Sequence, residues 1–164
     1  MYLPPFLTQL AAYVRIAGPA AAAVTTASAI SLVWNDPRGL LLSPALVNLA
    51  LLAVFAASFA LRETVIESFA LAHGAVRSEE ISGYCRKVTA IWCAFFAANA
   101  GVGAWLALFG TRASWALYTG FVAYLLMGLL FAIEFVYRHW RFRRYVGLPT
   151  DPLLRRLFPP DPTK

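Results

Sequence analysis

Apolar residues run in four long blocks along the chain, and polar residues gather in the breaks between them. The blocks cover 16–34, 40–61, 88–109 and 114–137. Each is long enough to cross a hydrocarbon core of about 30 Å as a helix. The first is rich in small residues (Ala20 to Ala23, Ala27, Ala29), with Pro19 near its start, where a missing backbone donor is least damaging. The pattern predicts an all-α fold, an integral membrane four-helix bundle.

The breaks carry their own signals. Asn35-Asp36-Pro37-Arg38-Gly39 has the residue types of a compact turn, so the first two helices should be antiparallel neighbours. In the longer break, 62–87, Val65, Ile66, Phe69 and Ala70 recur at helical spacing opposite Glu63 and Glu67. That spacing predicts a short amphipathic helix on the cytoplasmic membrane surface, stopping at His73-Gly74. Ser78-Glu79-Glu80 reads as a helix start, with a capping hydroxyl and acids in the first turn. The helix so begun should run through Tyr84, Cys85, Arg86 and Lys87 into the third span. Residues 110–113 form a tight turn, and 145–164 read as a proline-punctuated cytoplasmic tail beyond a single domain, 1–144.

Composition agrees with lipid contact. Sixty per cent of the 164 residues are hydrophobic and 13% are charged, against about a quarter charged in a soluble domain. The net charge of +6 does not point to nucleic acid, because the cations flank the apolar blocks and do not form one basic face. Arg38 and Arg112 are the only cations in the two short turns; the other twelve of fourteen stand in the N-terminus, the middle loop and the tail. The positive-inside rule then places both ends and the middle loop in the cytoplasm, and the expected location is a bacterial inner membrane. A cleavable signal peptide ending near Ala27-Ser28-Ala29 is the rival reading, opposed by the long region before the apolar block and its single cation, Arg15.

Candidate chemistry is sparse. Polar groups inside spans are costly in lipid and so mark places to look. Asn48, Asn99 and Glu134 are such groups, and with Tyr118 they make up the candidate ligand or proton path. The plainer role for each amide is a hydrogen bond to a neighbouring helix. For Glu134 it is an ion pair with Arg86, Lys87 or Arg138. Cys85 and Cys93, eight residues apart on one helix, are about 12 Å apart along its axis, too far for a bridge. No histidine stands near them in sequence, no metal-ligand spacing is present, and no catalytic residue, cofactor or metal can be assigned.

Ala53/Ala57, Ala97/Gly101 and Gly120-Tyr124-Gly128 repeat at steps of four, as small-residue packing faces do, within a bundle or in a homodimer. Arg86, Lys87, Arg138, Arg141, Arg143 and Arg144 form the candidate docking set, for anionic lipid headgroups or an acidic cytoplasmic protein.

Tyr84-Cys85-Arg86-Lys87-Val88-Thr89, then Ile91-Trp92-Cys93-Ala94-Phe95-Phe96 and Asn99, resembles the central signature of a known family. Trp115-Ala116-Leu117-Tyr118, the run Tyr124 to Phe131 and Glu134 resemble a second signature, and Leu46-Val47-Asn48 a third. The family is a group of uncharacterised bacterial inner-membrane proteins. Its members are encoded beside acyl carrier proteins, ketosynthases and acyltransferases of aryl-polyene and fatty-acid-like pathways. Its pattern carries Asn where this chain has Thr119 and Gly where it has Ile133. The resemblance implies a setting: a non-enzymatic accessory or scaffold protein of an acyl-carrier-linked pathway, with an acidic acyl carrier protein or another pathway enzyme as partner. The alternatives are a small dimeric transporter or lipid-handling protein using Asn48, Asn99 and Glu134, and a membrane enzyme using Cys85 or Glu134.

Overall fold

The computed structural model describes residues 37–72 and 75–142, together with Gly18, Ala22, Thr25, Thr26 and Ala29. Those five residues are helical and exposed. The rest of the predicted first span, the His73-Gly74 stop and the tail from Arg143 onward lie outside the described residues.

The described residues form helices and no strands. Helix α1 covers Pro37–Ala57 and tightens into a 3-10 turn at Ser58–Ala60. Helix α2 covers Val65–Ala72, α3 Glu79–Phe109 and α4 Arg112–Leu117; a π turn, Tyr118–Val122, leads to α5, Ala123–Phe142. Three stretches are long and apolar enough to cross a membrane: Gly39–Ala60, Glu79–Phe109 and Arg112–Phe142.

The ends of these helices follow from side-chain chemistry. Pro37 sits in the first turn of α1, so the expected turn 35–39 is already helix from residue 37, where a proline has no intrahelical donor to lose. Ser78 caps α3 as predicted, its hydroxyl accepting from the Ile81 amide at 3.3 Å. After Gly110, Thr111 caps α4 in a capping box with Ser114, so the fourth apolar helix begins at Arg112 and not at 114. It also runs on to Phe142, which moves Arg138 and Arg141 from the expected tail onto a helix.

The chain divides into two compact units at Gly120/Phe121. In the first unit α1 packs along α3. The buried face of α3 is Ile81, Cys85, Val88, Thr89, Trp92, Phe96, Asn99, Ala100 and Gly103, one stripe at steps of three and four. Ala45 lies 3.8 Å from where a Gly103 side chain would begin, and the Phe55 and Phe96 rings meet edge to face at 5.1 Å. These two contacts fix an antiparallel register, which sets Asn48 within about one turn of Asn99 in depth. Lipid offers no hydrophobic drive between helices, so such close, shaped contacts carry the association. Of the predicted small-residue positions, Gly101, Gly120 and Gly128 look onto open space in this chain, while Gly103, outside any predicted pair, meets Ala45.

Helix α2 also packs on α3. Val65 and Glu67 are its buried residues, and Phe69 is 62% exposed. Glu67 turns inward because α3 offers it a hydroxyl, Ser82 Oγ, 2.6 Å from its Oε1.

The second unit is dominated by α5. Its buried residue is His139, whose Nδ1 lies 2.8 Å from the Phe135 carbonyl oxygen.

Candidate functional site

Two polar clusters stand out in the first unit. The first lies mid-span. Asn99 donates from Nδ2 to the Phe95 carbonyl one turn back on α3 (3.0 Å), and its Oδ1 accepts from the Tyr118 hydroxyl at 2.8 Å. Tyr118 opens the π turn that follows α4, and π turns widen a helix and re-aim its side chains. Thr119 beside it donates to the Trp115 carbonyl at 2.8 Å. Two residues of the candidate path are thus one hydrogen-bonded pair joining two helices.

Asn48 belongs to a neighbouring arrangement built around Pro44. A proline inside α1 has no amide to offer the Leu40 carbonyl one turn earlier. The Ser43 hydroxyl donates to that carbonyl at 2.7 Å, and the Trp115 indole donates to the next one, Leu41, at 2.9 Å. Asn48 Nδ2 donates to the Pro44 carbonyl at 2.8 Å. Borrowed donors of this kind are how helices tolerate proline where no water can replace the missing bond. The arrangement ties α4 to α1 through Trp115.

The second cluster lies where α1, α2 and α3 meet, and the sequence did not nominate it. Ser58, Thr64, Glu67 and Thr89 are all buried. The Ser58 hydroxyl donates to the Phe55 carbonyl (2.6 Å) and accepts from the Val65 amide (3.4 Å). Thr64 Oγ1 accepts from the Glu67 amide at 3.4 Å, which caps α2. Glu67, 4% exposed, has its carboxylate on Ser82. Nearby on α3, Thr89 Oγ1 donates to the Cys85 carbonyl at 2.8 Å. One signal was available: Thr64-x-x-Glu67 has the spacing of a capping box, marking a helix start at Thr64. In the structure the glutamate uses that position to reach the next helix instead of its own cap.

The candidate docking residues fall into two groups. Arg86 is exposed, its guanidinium carbon 5.2 Å from the centre of the Phe59 ring, and Lys87 beside it is exposed. In the second unit Arg138 Nε is 3.6 Å from Glu134 Oε1, one turn apart on α5, and Arg141 is exposed near the Phe142 ring. Arg138 is one of the three cations proposed for Glu134. Arg143 and Arg144 lie outside the described residues.

Cys85 is buried at 2% exposure and Cys93 is half-buried, and neither is in a disulfide. Among the described residues no three His, Cys, Asp or Glu side chains gather as a metal site would need. Comparison with protein-family models, with curated proteins and with solved structures finds no match to this chain.

Proposed function

We propose that the chain is a four-span bacterial inner-membrane protein with both ends in the cytoplasm, acting as a non-enzymatic scaffold for an acyl-carrier-linked pathway. In this reading the loop between the second and third spans, with the start of α3, is its working face. The observation that carries the reading is an ordered polar platform at one end of the first unit. Helix α3 has 31 residues, about 46 Å of helix, against a hydrocarbon core of about 30 Å. Its first turns therefore extend beyond the lipid, and α2 is pinned to them through Glu67 and Ser82. The pinned platform presents Arg86 and Lys87 outward. Arg86 and Lys87, about two turns along α3 from the exposed Glu79 and Glu80, supply the two cations on this platform for the carboxylates of an acidic carrier protein of an aryl-polyene or fatty-acid-like pathway.

The transporter or lipid-handling alternative draws on Asn48, Asn99, Tyr118 and Glu134. It is the weaker reading, because Asn99 and Tyr118 bond to each other, Asn48 to its own helix and Glu134 to Arg138.

The test is a pull-down of the detergent-solubilised protein at low and moderate salt, beside Arg86→Glu/Lys87→Glu. Recovery of a carrier protein or synthase with wild type at low salt, lost in the variant, supports the scaffold. Recovery of neither protein at either salt overturns it. Tags at Met1 and Lys164 reporting from opposite compartments would overturn the topology.

A further inference from the structure

The segment that carries α2 is closed on itself as well as fastened to α3. Arg77, beyond the helix, makes an ion pair with Glu63, just before it, so the two ends of the segment are tied together. Thr64 caps the helix from within, its Oγ1 accepting from the Glu67 amide. The outward fastenings include the Val65 amide on the Ser58 hydroxyl, at 3.4 Å, and the Glu67 carboxylate on Ser82.

Glu67 stands between two partners. Thr64-x-x-Glu67 has capping-box spacing, in which the glutamate carboxylate returns to the amide of the capping residue. The Thr64 half of that box is made, and the Glu67 half is spent on α3. The apolar pattern points to the same alternative. Val65, Ile66, Phe69 and Ala70 form a stripe with Glu63 and Glu67 across from it, the layout of a helix lying on lipid with its acids in water. Docking on α3 uses another face: Val65 and Glu67 are buried and Phe69 is 62% exposed. A local pattern suited to one arrangement and a tertiary contact that takes another make a bistable element.

We propose that α2 is a strap with two positions. In the first it is docked on α3 through Glu67 and Ser82. In the second it is released as a helix, with Glu67 returned to the Thr64 amide and the stripe Val65, Ile66, Phe69 and Ala70 laid on the lipid surface. Release frees the Ser82 hydroxyl and lifts Val65 off Ser58, which is fully buried when the strap is docked. The strap is independent of the carrier-protein reading, and its test contains no carrier protein, so the two fail separately.

The experiment uses the full chain in nanodiscs, with Cys85 and Cys93 changed to Ala and nitroxide labels at Ala72→Cys on α2 and Ala90→Cys on α3, both exposed positions. Pulsed electron resonance reads the distance between them. Ser82→Ala removes the docked bond and should raise the ratio of released to docked molecules about tenfold. A single label at Ala70→Cys, on the stripe, should then collide more often with oxygen, which concentrates in lipid. The same distance distribution in wild type and folded Ser82→Ala overturns the proposal. So does a released α2 whose Ala70 label gains no oxygen, because the helix is then not on lipid. Should Ser82→Ala not fold, hydrogen exchange of wild type decides it. Opening of α2 together with the Ser82 turn, while residues 88–100 stay protected, supports the strap; α2 exchanging as slowly as those residues refutes it.

Discussion

The Tyr118 hydroxyl donates to Asn99 Oδ1 at 2.8 Å, and this bond joins the middle of α3 to the π turn after α4. Asn99 is buried and Tyr118 half-buried, so water is a poor substitute for either partner. Tyr118→Phe leaves the Asn99 oxygen without its donor and should destabilise the first unit by about 1–2 kcal/mol. Asn99→Leu combined with Tyr118→Phe should be less damaging than the sum of the two. Unfolding in a denaturing-detergent titration, followed by circular dichroism, measures the cycle, and strict additivity would show that the bond contributes nothing.

The Glu67–Ser82 contact makes a second, separable claim. Glu67→Gln keeps an oxygen for the Ser82 hydroxyl and should be mild. Glu67→Ala removes the acceptor and opens a hole beside α3, at a cost of about 2–3 kcal/mol. Hydrogen exchange across α2 should rise in Glu67→Ala and in Ser82→Ala, and stay near wild type in Glu67→Gln. Unchanged exchange in all three would mean that α2 is held by something else.

Two glycines on one helix should differ sharply. A side chain at Gly103 would begin 3.8 Å from Ala45, ordinary contact distance, so Gly103→Ala should be tolerated. Gly103→Leu overfills the α1–α3 seam and should destabilise by about 1–3 kcal/mol. Gly101→Leu, facing open space, should be close to neutral. Thermal melts in detergent rank the three, and a more severe effect at Gly101 than at Gly103 would contradict the packing.

Thiol accessibility offers a simpler check. Cys85 is buried in the α3 stripe, whereas Cys93 is half-buried. A maleimide probe small enough to enter detergent micelles should modify Cys93 first in the folded protein and reach Cys85 only on unfolding. Counting labels by mass spectrometry, with Cys93→Ser as the background, reads the order. Rapid labelling of Cys85 in the folded Cys93→Ser protein would contradict its burial.

Some of this architecture was written locally in the chain. Block length and apolarity determined three helices capable of crossing a membrane, Ser78 marked the start of α3, and Gly110 stands in the break after it. These features depend on a few neighbouring residues, so one strand of letters suffices to show them. What only the tertiary structure decided is rotation about each helix axis. A helix that is apolar all round has no hydropathy signal to say which side meets a neighbour and which meets lipid. Hence Gly103 and not Gly101 meets α1, Glu67 turns in while Phe69 turns out, and Tyr118 finds Asn99 nineteen residues away. Each of those outcomes needs a partner on another helix at the right depth, and partners across space are not encoded by spacing along one helix.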